Sequence, residues 1–425
     1  MLQKKRNPWA WVPTLYMAEG LPYVAVMTIS VIMYKRLGIS NTDIALYTGW
    51  LYLPWVIKPF WSPFVDLVKT KRWWTVTMQF LIAIAFACIA FSLPTSMFFQ
   101  LTLAAFWLVA FTSATHDIAA DGYYMHALDD HEQSFYVGIR STFYRIATVV
   151  GQGLLVILAG WLEETTGKIS LAWTITFGAF SAFFLLAAIY HQFILPHPVS
   201  DHPTKEVKAS TVFHDFIETF KSFFAKKDVL VAILFMLLYR LPEAQLVKLI
   251  NPFMLDPVDK GGLGLNTEQV GFVYGTVGII GLTIGGILGG LAAARGGLKK
   301  WLWPMVCAIT LPDLVYVYLS YVQPSSLLLV NACVFVEQFG YGFGFTAFML
   351  YLIYFSEGEH KTAHYAICTG FMALGMMLPG MAAGWLQETI GYRHFFIWTV
   401  ICCLATFLVT WFVKIDPEFG KKKTE

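Results

Sequence analysis

Eleven ionisable side chains stand inside runs that are otherwise apolar: Glu19, Lys58, Asp117, Asp121, Arg140, Arg145, Arg240, Glu243, Lys248, Asp313 and Glu337. A charge at the centre of a membrane-crossing helix costs about 2.5–3.5 kcal/mol, so such groups face a partner or a cavity. Carboxylates and guanidinium groups gathered there could hold an anionic solute, and a carboxylate that changes its charge could carry a proton. The stretch FTSATHDIAADGYYMHAL (111–128) is the densest case, following the apolar run LTLAAFWLVAF. Asp117, Asp121 and Tyr124 have i, i+4, i+7 spacing and share one helix face. His116 points about 100° away from Asp117, as a packing residue or a pH-sensitive one.

Other chemistries find less support in the same residues. His116 and Asp121 form H-x4-D, a spacing that some acyltransferases use to activate a hydroxyl, but here it lies on an apolar helix without the rest of that pattern. Asp129-Asp130-His131-Glu132 begins like a metal-binding DDxxD, yet position 133 is Gln. Neither H-E-x-x-H nor G-x-x-x-x-G-K-[ST] occurs, which argues against a zinc hydrolase and an ATP-driven pump. The six cysteines lie in apolar stretches without metal or redox spacing and read as small buried hydrophobes. No cofactor or metal is expected. The net charge of +2, with basic residues scattered between hydrophobic runs, gives no footprint for nucleic acid.

The elements that must position these residues are membrane-crossing helices. Charged residues are 13% of the 425, hydrophobic ones 57%, and mean hydropathy is +0.61, which describes a polytopic membrane protein. A crossing helix needs about 20 residues. Runs of that size predict twelve spans, at 9–33, 42–64, 73–94, 98–121, 135–162, 170–193, 229–254, 268–293, 300–321, 325–355, 362–386 and 392–414. Residues 325–355 are long for one helix. The N-terminus, basic and without a small-residue cleavage site, reads as a retained first helix. Between spans six and seven lies the one long polar segment, whose second half (Phe213, Phe216, Ile217, Phe220, Phe223, Phe224) has amphipathic spacing. With a cytoplasmic N-terminus, inside segments hold 19 Lys and Arg against five outside. Both termini are therefore expected in the cytoplasm.

The chain repeats itself. GWLEETTG (160–167) and GWLQETIG (384–391) share six of eight residues at an offset of 224. AEGLPYV (18–24) and LYRLPEA (238–244) each place Leu-Pro near mid-span beside charges, and SPFVDLVKTKRWW after span two matches GGLAAARGGLKKW after span eight. The expected fold is all-α, with twelve transmembrane helices in two pseudo-symmetric six-helix halves: 1–193, a linker at 194–228 with its amphipathic helix, and 229–425. Parallel repeats of this kind are typical of transporters.

Helix rise places Glu19, Arg145, Arg240, Glu243 and Glu337 near the midplane. Glu19 and Arg240 flank the Leu-Pro breaks, and interrupted helices at matching positions point to a binding site. The expected substrate or proton site is Glu19, Tyr23, Arg145, Arg240, Glu243, Glu337 and Gln338, with Tyr16, Tyr239 and Tyr341 as further aromatic surfaces; the bland alternative is that these groups pair and hold helices together. Asp117, Asp121 and Arg140 lie at comparable depth near the cytoplasmic mouth, where an Asp–Arg lock is plausible. Overlapping small-xxx-small spacing from Gly271 to Gly290 predicts close packing of span eight.

The runs VIKPFWSPFVDLV (56–68), ATHDIAADGYYMHAL (114–128), GIRSTFYRIATVVGQG (138–153) and FVEQFGYGFGFTAFMLYL (335–352) resemble the peptide–acetyl-coenzyme A–drug transporter branch of the major facilitator superfamily. K-x-x-W-x-P-x-x-D (Lys58 to Asp66) and D-I-x-x-D-(A/G) (Asp117 to Gly122) carry the resemblance, which covers the chain outside 194–228. It implies alternating access, with a gating role for the charged loop after span two. Lys58 and Asp66 thus join Asp117, Asp121 and Arg140 as expected gating residues, one-sided because Ala294 stands at the matching place in the second half. The resemblance to AmpG-type muropeptide permeases implies a bacterial inner-membrane monomer that imports an anionic amino sugar or muropeptide with protons. An acetyl-coenzyme A or other organic-anion carrier is the alternative within the branch, and a membrane acyltransferase the alternative outside it.

Overall fold

The computed structural model describes residues 6–202, 209–358 and 361–419, and among these there is helix but no strand. Among the described residues ten helices are long and apolar enough to cross a membrane: Pro8–Arg36, Lys71–Ser92, Phe98–Ala127, Thr142–Thr166, Ile169–Ile194, Val229–Leu255, Thr267–Gly296, Leu298–Val322, Leu327–Ser356 and His364–Phe412. The last is two spans joined end to end, because Gly391 (φ 77°, ψ 164°) interrupts the helical backbone. The remaining expected span, 42–64, is not one helix. It breaks into Asn41–Trp50, Leu53–Ile57 and Ser62–Val68. Pro54, Pro59 and Pro63 each lack the N–H that an unbroken helix needs. The stretch read as 325–355 is a single 30-residue helix, with room to run past the apolar core of a bilayer.

The described residues form two compact units: Met1–Leu37 with Ile57–Lys208, and Gly38–Val56 with Ala209–Glu425. In the first unit, helices Val12–Val24 and Asp130–Thr148 pack closely. A Cβ on Gly20 would meet Ala147 Cβ at 2.9 Å and the Tyr144 carbonyl at 3.0 Å, and one on Gly151 would meet Val24 at 2.8 Å. Glycine at 20 and 151 is therefore what lets these helices touch. Asp129 accepts from the Glu132 amide at 2.9 Å and Glu132 reaches back to the Asp129 amide, a capping box that starts the helix. That structural task accounts for both ends of the DDHE cluster. The segment after Ile194 is pinned by Tyr123 to the Pro196 carbonyl (2.8 Å), Arg72 to the Leu195 and Gln192 carbonyls, and Asp201 to the amides of Lys71 and Arg72.

The second unit is built on small residues. A Cβ on Gly281 would come within 2.7 Å of the Phe335 carbonyl, one on Gly285 would run into the Phe339 carbonyl, and one on Gly342 into that of Leu282. Thr267–Gly296 and Leu327–Ser356 thus meet backbone to backbone, as the glycine spacing predicts. Ala209–Phe224 closes the linker; its Phe223 is fully buried against Phe355, Phe371 and His364. Residues 203–208, and the side chains of Phe213 and Phe216, lie outside the described residues.

The repeated octapeptides are both helical up to a closing glycine, with ψ of 11° at Gly167 and 164° at Gly391. Each ends at a glycine of positive φ, Gly167 (65°) and Gly391 (77°), and each exposes its tryptophan, Trp161 and Trp385. Glu163 binds Arg36 (2.9 Å) and the Trp173 indole (2.8 Å). Its counterpart Gln387 accepts from Asn41 at 2.6 Å.

Candidate functional site

In the first unit, Glu19 lies one turn before Pro22, whose ring cannot donate to the Ala18 carbonyl and loosens the helix there. Glu19 is buried, and its Oε2 has no hydrogen-bond partner among the described residues. It lines a cavity of about 160 Å³ with Tyr16, Arg140, Tyr144 and Arg145. Tyr144 and Arg145 reach that cavity because Gly20 draws their helix against Val12–Val24. Arg140 sits 4.5 Å over the Tyr16 ring and 5.2 Å from that of Tyr124, and pairs with Asp121 at 2.9 Å. Tyr16 donates to the same Asp121 oxygen at 3.1 Å. Lys58 approaches Asp117 at 4.0 Å. Arg145 is exposed and Tyr23 half-buried, one turn beyond Glu19. The Asp66 side chain lies outside the described residues.

His116 does not join Asp121. Its Nε2 is 2.9 Å from Gln79 Nε2, Gln79 Oε1 is 2.8 Å from His191 Nδ1, and His191 Nε2 is 2.9 Å from Thr14. Gln79 donates to one imidazole and accepts from the other, a buried polar chain that ties four helices together. The H-x4-D spacing therefore builds no dyad: the hydrogen-bond partner of the imidazole is an amide 37 residues away.

In the second unit the helix of Val229–Leu255 is interrupted at Tyr239–Arg240, and Leu241–Leu255 restarts with Pro242 in its first turn. Arg240 lies 4.7 Å over Phe345 and 5.4 Å over Tyr341, and donates to the Tyr341 hydroxyl. Glu337 accepts from Tyr316 (2.8 Å) and Gln338 (3.0 Å). Glu243, Glu337 and Asp313 are all buried and within electrostatic reach of one another. Tyr239, read as an aromatic surface for a solute, is instead core: fully buried on Phe235 and Phe348, with its hydroxyl on the Gly344 carbonyl.

Asp313, Cys403 and Lys248 are further buried groups of this unit. Asp313 stands in a helical turn at Pro312, and the Cys403 thiol lies 3.6 Å from its Oδ2. Lys248 is 1% exposed and donates to Thr48 Oγ1 at 2.8 Å. The sequence marks Asp313 and Lys248 as intramembrane charges, but Cys403 reads there only as a hydrophobe. Cys368 and Cys402 are buried as expected, whereas Cys307 and Cys333 are partly exposed and Cys88 is exposed. Among the described residues no group of three His, Cys, Asp or Glu side chains could hold a metal ion.

Residues 14–356 match the family model described as Major Facilitator Superfamily. The chain is 26% identical over 409 residues to the chain named transporter AmpG 4 in Rickettsia conorii, covering 93% of this chain and 94% of that one. It is also 26% identical over 396 residues to the anhydromuropeptide permease of Escherichia coli K12, covering 90% and 75% of the two chains. Among solved structures, a nucleoside transporter superposes with a TM-score of 0.71 at 14% identity, covering 94% of this chain and 97% of that one. A D-xylose–proton symporter gives 0.71 at 13%, covering 97% and 98%. At such identities the structures speak for the fold, and it is the fold expected from the repeats. With a family model spanning most of its length, this multi-pass membrane chain belongs to the Major Facilitator Superfamily of secondary transporters.

Proposed function

We propose that the chain imports an anionic amino-sugar or muropeptide-like solute, an anhydromuropeptide, together with protons, by alternating access. The observation that carries this reading is the cavity of Glu19, Arg140 and Arg145 under Tyr16 and Tyr144. Two guanidinium groups suit the carboxylates of a peptide stem, and tyrosine rings suit sugar faces. An anhydromuropeptide carries both chemistries in one molecule. Glu19 and Glu337 are the carboxylates assigned to the proton: both are buried, and an oxygen of Glu19 lacks a partner.

Arg145 in the first repeat and Arg240 in the second are assigned to the solute, as are Tyr23 in the first and Glu243 and Gln338 in the second. Lys58, Asp66, Asp117, Asp121 and Arg140 gate the cytoplasmic mouth, so Arg140 serves both the ion pair and the cavity. The chain works as a monomer of two six-helix halves in the bacterial inner membrane, with both termini in the cytoplasm. Its partners are the solute, protons and the bilayer.

The experiment is uptake into proteoliposomes holding the purified chain, with labelled anhydromuropeptide competed by amino sugars, by free peptide and by acetyl-coenzyme A. Competition by unlabelled anhydromuropeptide alone is expected. Competition by acetyl-coenzyme A would replace the cargo assignment with a nucleotide-thioester carrier, and product formation without accumulation would replace transport with acyl transfer.

A further inference from the structure

Among the described residues Lys248 has no anionic partner. Its side chain is 99% buried within Val229–Leu255. Among the described residues its ammonium makes one hydrogen bond, to Thr48 Oγ1 at 2.8 Å, and lies 5.2 Å from the Tyr52 ring. The Thr48 hydroxyl gives its own hydrogen to the Ile44 carbonyl at 2.6 Å, so at Lys248 it can only accept. One of the three ammonium hydrogens is thus satisfied, a second can point at the ring, and the third has no acceptor among the described residues. Gly380 packs against this stretch of helix: a Cβ there would lie 3.0 Å from the Ala244 carbonyl and 3.4 Å from Lys248 Cγ.

Four carboxylates of this unit have other partners. Glu337 holds Tyr316 and Gln338, Asp313 faces Cys403, Asp256 holds Tyr392, and Glu388 holds Thr42. Glu243 is five residues away on the same helix, about 140° around it. An uncompensated ammonium in this setting is expensive, and residues of this kind in membranes mark solute and ion paths.

We propose that Lys248 is the receptor for a carboxylate of the cargo, completing its charge balance only when the cargo is bound. The proposal rests on the reading of the cargo as an anion and adds to it a third cation, distinct from Arg145 and Arg240. A carboxylate oxygen takes the free ammonium hydrogen, while Thr48 and Tyr52 keep the amine in place. A neutral amide at the same spot supplies a weaker acceptor and no charge.

The test is equilibrium binding to the full chain in nanodiscs, which does not depend on turnover. The probes are two pairs: anhydromuropeptide against its carboxamide, and benzoate against benzamide. Wild type is expected to prefer each acid by about tenfold or more, equivalent to about 1.4 kcal/mol. Lys248→Met should abolish that preference, and Lys248→Arg should keep part of it. Ligand-free Lys248→Met should unfold at or above the wild-type temperature, because it removes a lone buried charge; a merely structural lysine would make it less stable. Lys248→Gln takes its place should Lys248→Met not fold, and failure of both to fold would overturn the proposal, as would an acid preference that survives in the variant or is absent from wild type. If only benzoate shows a Lys248-dependent preference, the lysine assignment stands and the muropeptide reading falls. If anhydromuropeptide binds with a preference that Lys248→Met retains, the reverse holds.

Discussion

Glu19, Arg140 and Arg145 meet at one cavity although Arg145 follows Glu19 by 126 positions, and what unites them is the close helix contact at Gly20. Arg145→Ala is expected to raise the KM for an anionic cargo by about tenfold, the scale of one charge-assisted contact. Asp117→Asn should leave KM nearly unchanged and lower turnover, since Asp117 faces Lys58 and does not line the cavity. Initial-rate uptake for both variants checks the pair; wild-type kinetics in each would dissolve the division into site and gate. Glu19→Gln should keep binding while removing its dependence on pH, read by titrating binding between pH 5 and pH 8, with an unchanged profile counting against Glu19 as the proton group. That Glu19, Arg145 and Glu337 are ionisable groups set in apolar helices was legible in the sequence, because a charge in an apolar run is conspicuous at any angle. The isolation of Lys248 and the thiol beside Asp313 were not. Each depends on which side chain arrives from another helix, Thr48 from 200 residues away and Cys403 from 90.

Helices in this chain are specified as much by their breaks as by their apolar faces. Pro22 and Pro242 loosen or restart helices next to Glu19 and Glu243, and three prolines divide the segment 41–68. The sequence marks the first two as Leu-Pro interruptions but allows the third to pass for a span, because hydropathy averages over the missing N–H groups. Glycine sets the contacts. Gly285→Val is expected to destabilise the folded chain by about 1–3 kcal/mol, since its side chain would enter the Phe339 carbonyl, whereas Gly290→Ala, open around its Cβ position, should be neutral. Thermal unfolding in detergent separates the two, and equal effects would refute the backbone-to-backbone packing. At the other end of the second unit, Asn41–Trp50 is held to His364–Phe412 by Asn41 to Gln387 and Tyr392, and by Thr42 to Glu388. Asn41→Ala leaves the Gln387 oxygen without its donor, at a cost of about 1–3 kcal/mol. Faster cysteine labelling at position 45 in that variant would report the loosened helix, and an unchanged rate would mean that Asn41 does not hold it.

At the scale of the whole molecule, the family membership, the matched octapeptides and the paired glycines at 167 and 391 describe a chain built twice from one plan. Its two copies carry unequal charge. The first gathers arginines around Glu19, while the second buries Glu243, Glu337 and Asp313 within electrostatic reach of one another and leaves Lys248 without an anionic partner among the described residues. An asymmetric pair of this kind suits a device that moves an anion and a proton on one cycle, with the anion held by the cations and the proton by a carboxylate. The measurement that tests this most directly is accumulation of labelled anhydromuropeptide in proteoliposomes under an imposed inward proton gradient and no other ion gradient. The account predicts uptake above the equilibration level that a protonophore abolishes and that Arg145→Ala slows at cargo concentrations below its raised KM. Uptake that stops at equilibration, or proceeds unchanged with the protonophore present, would contradict it.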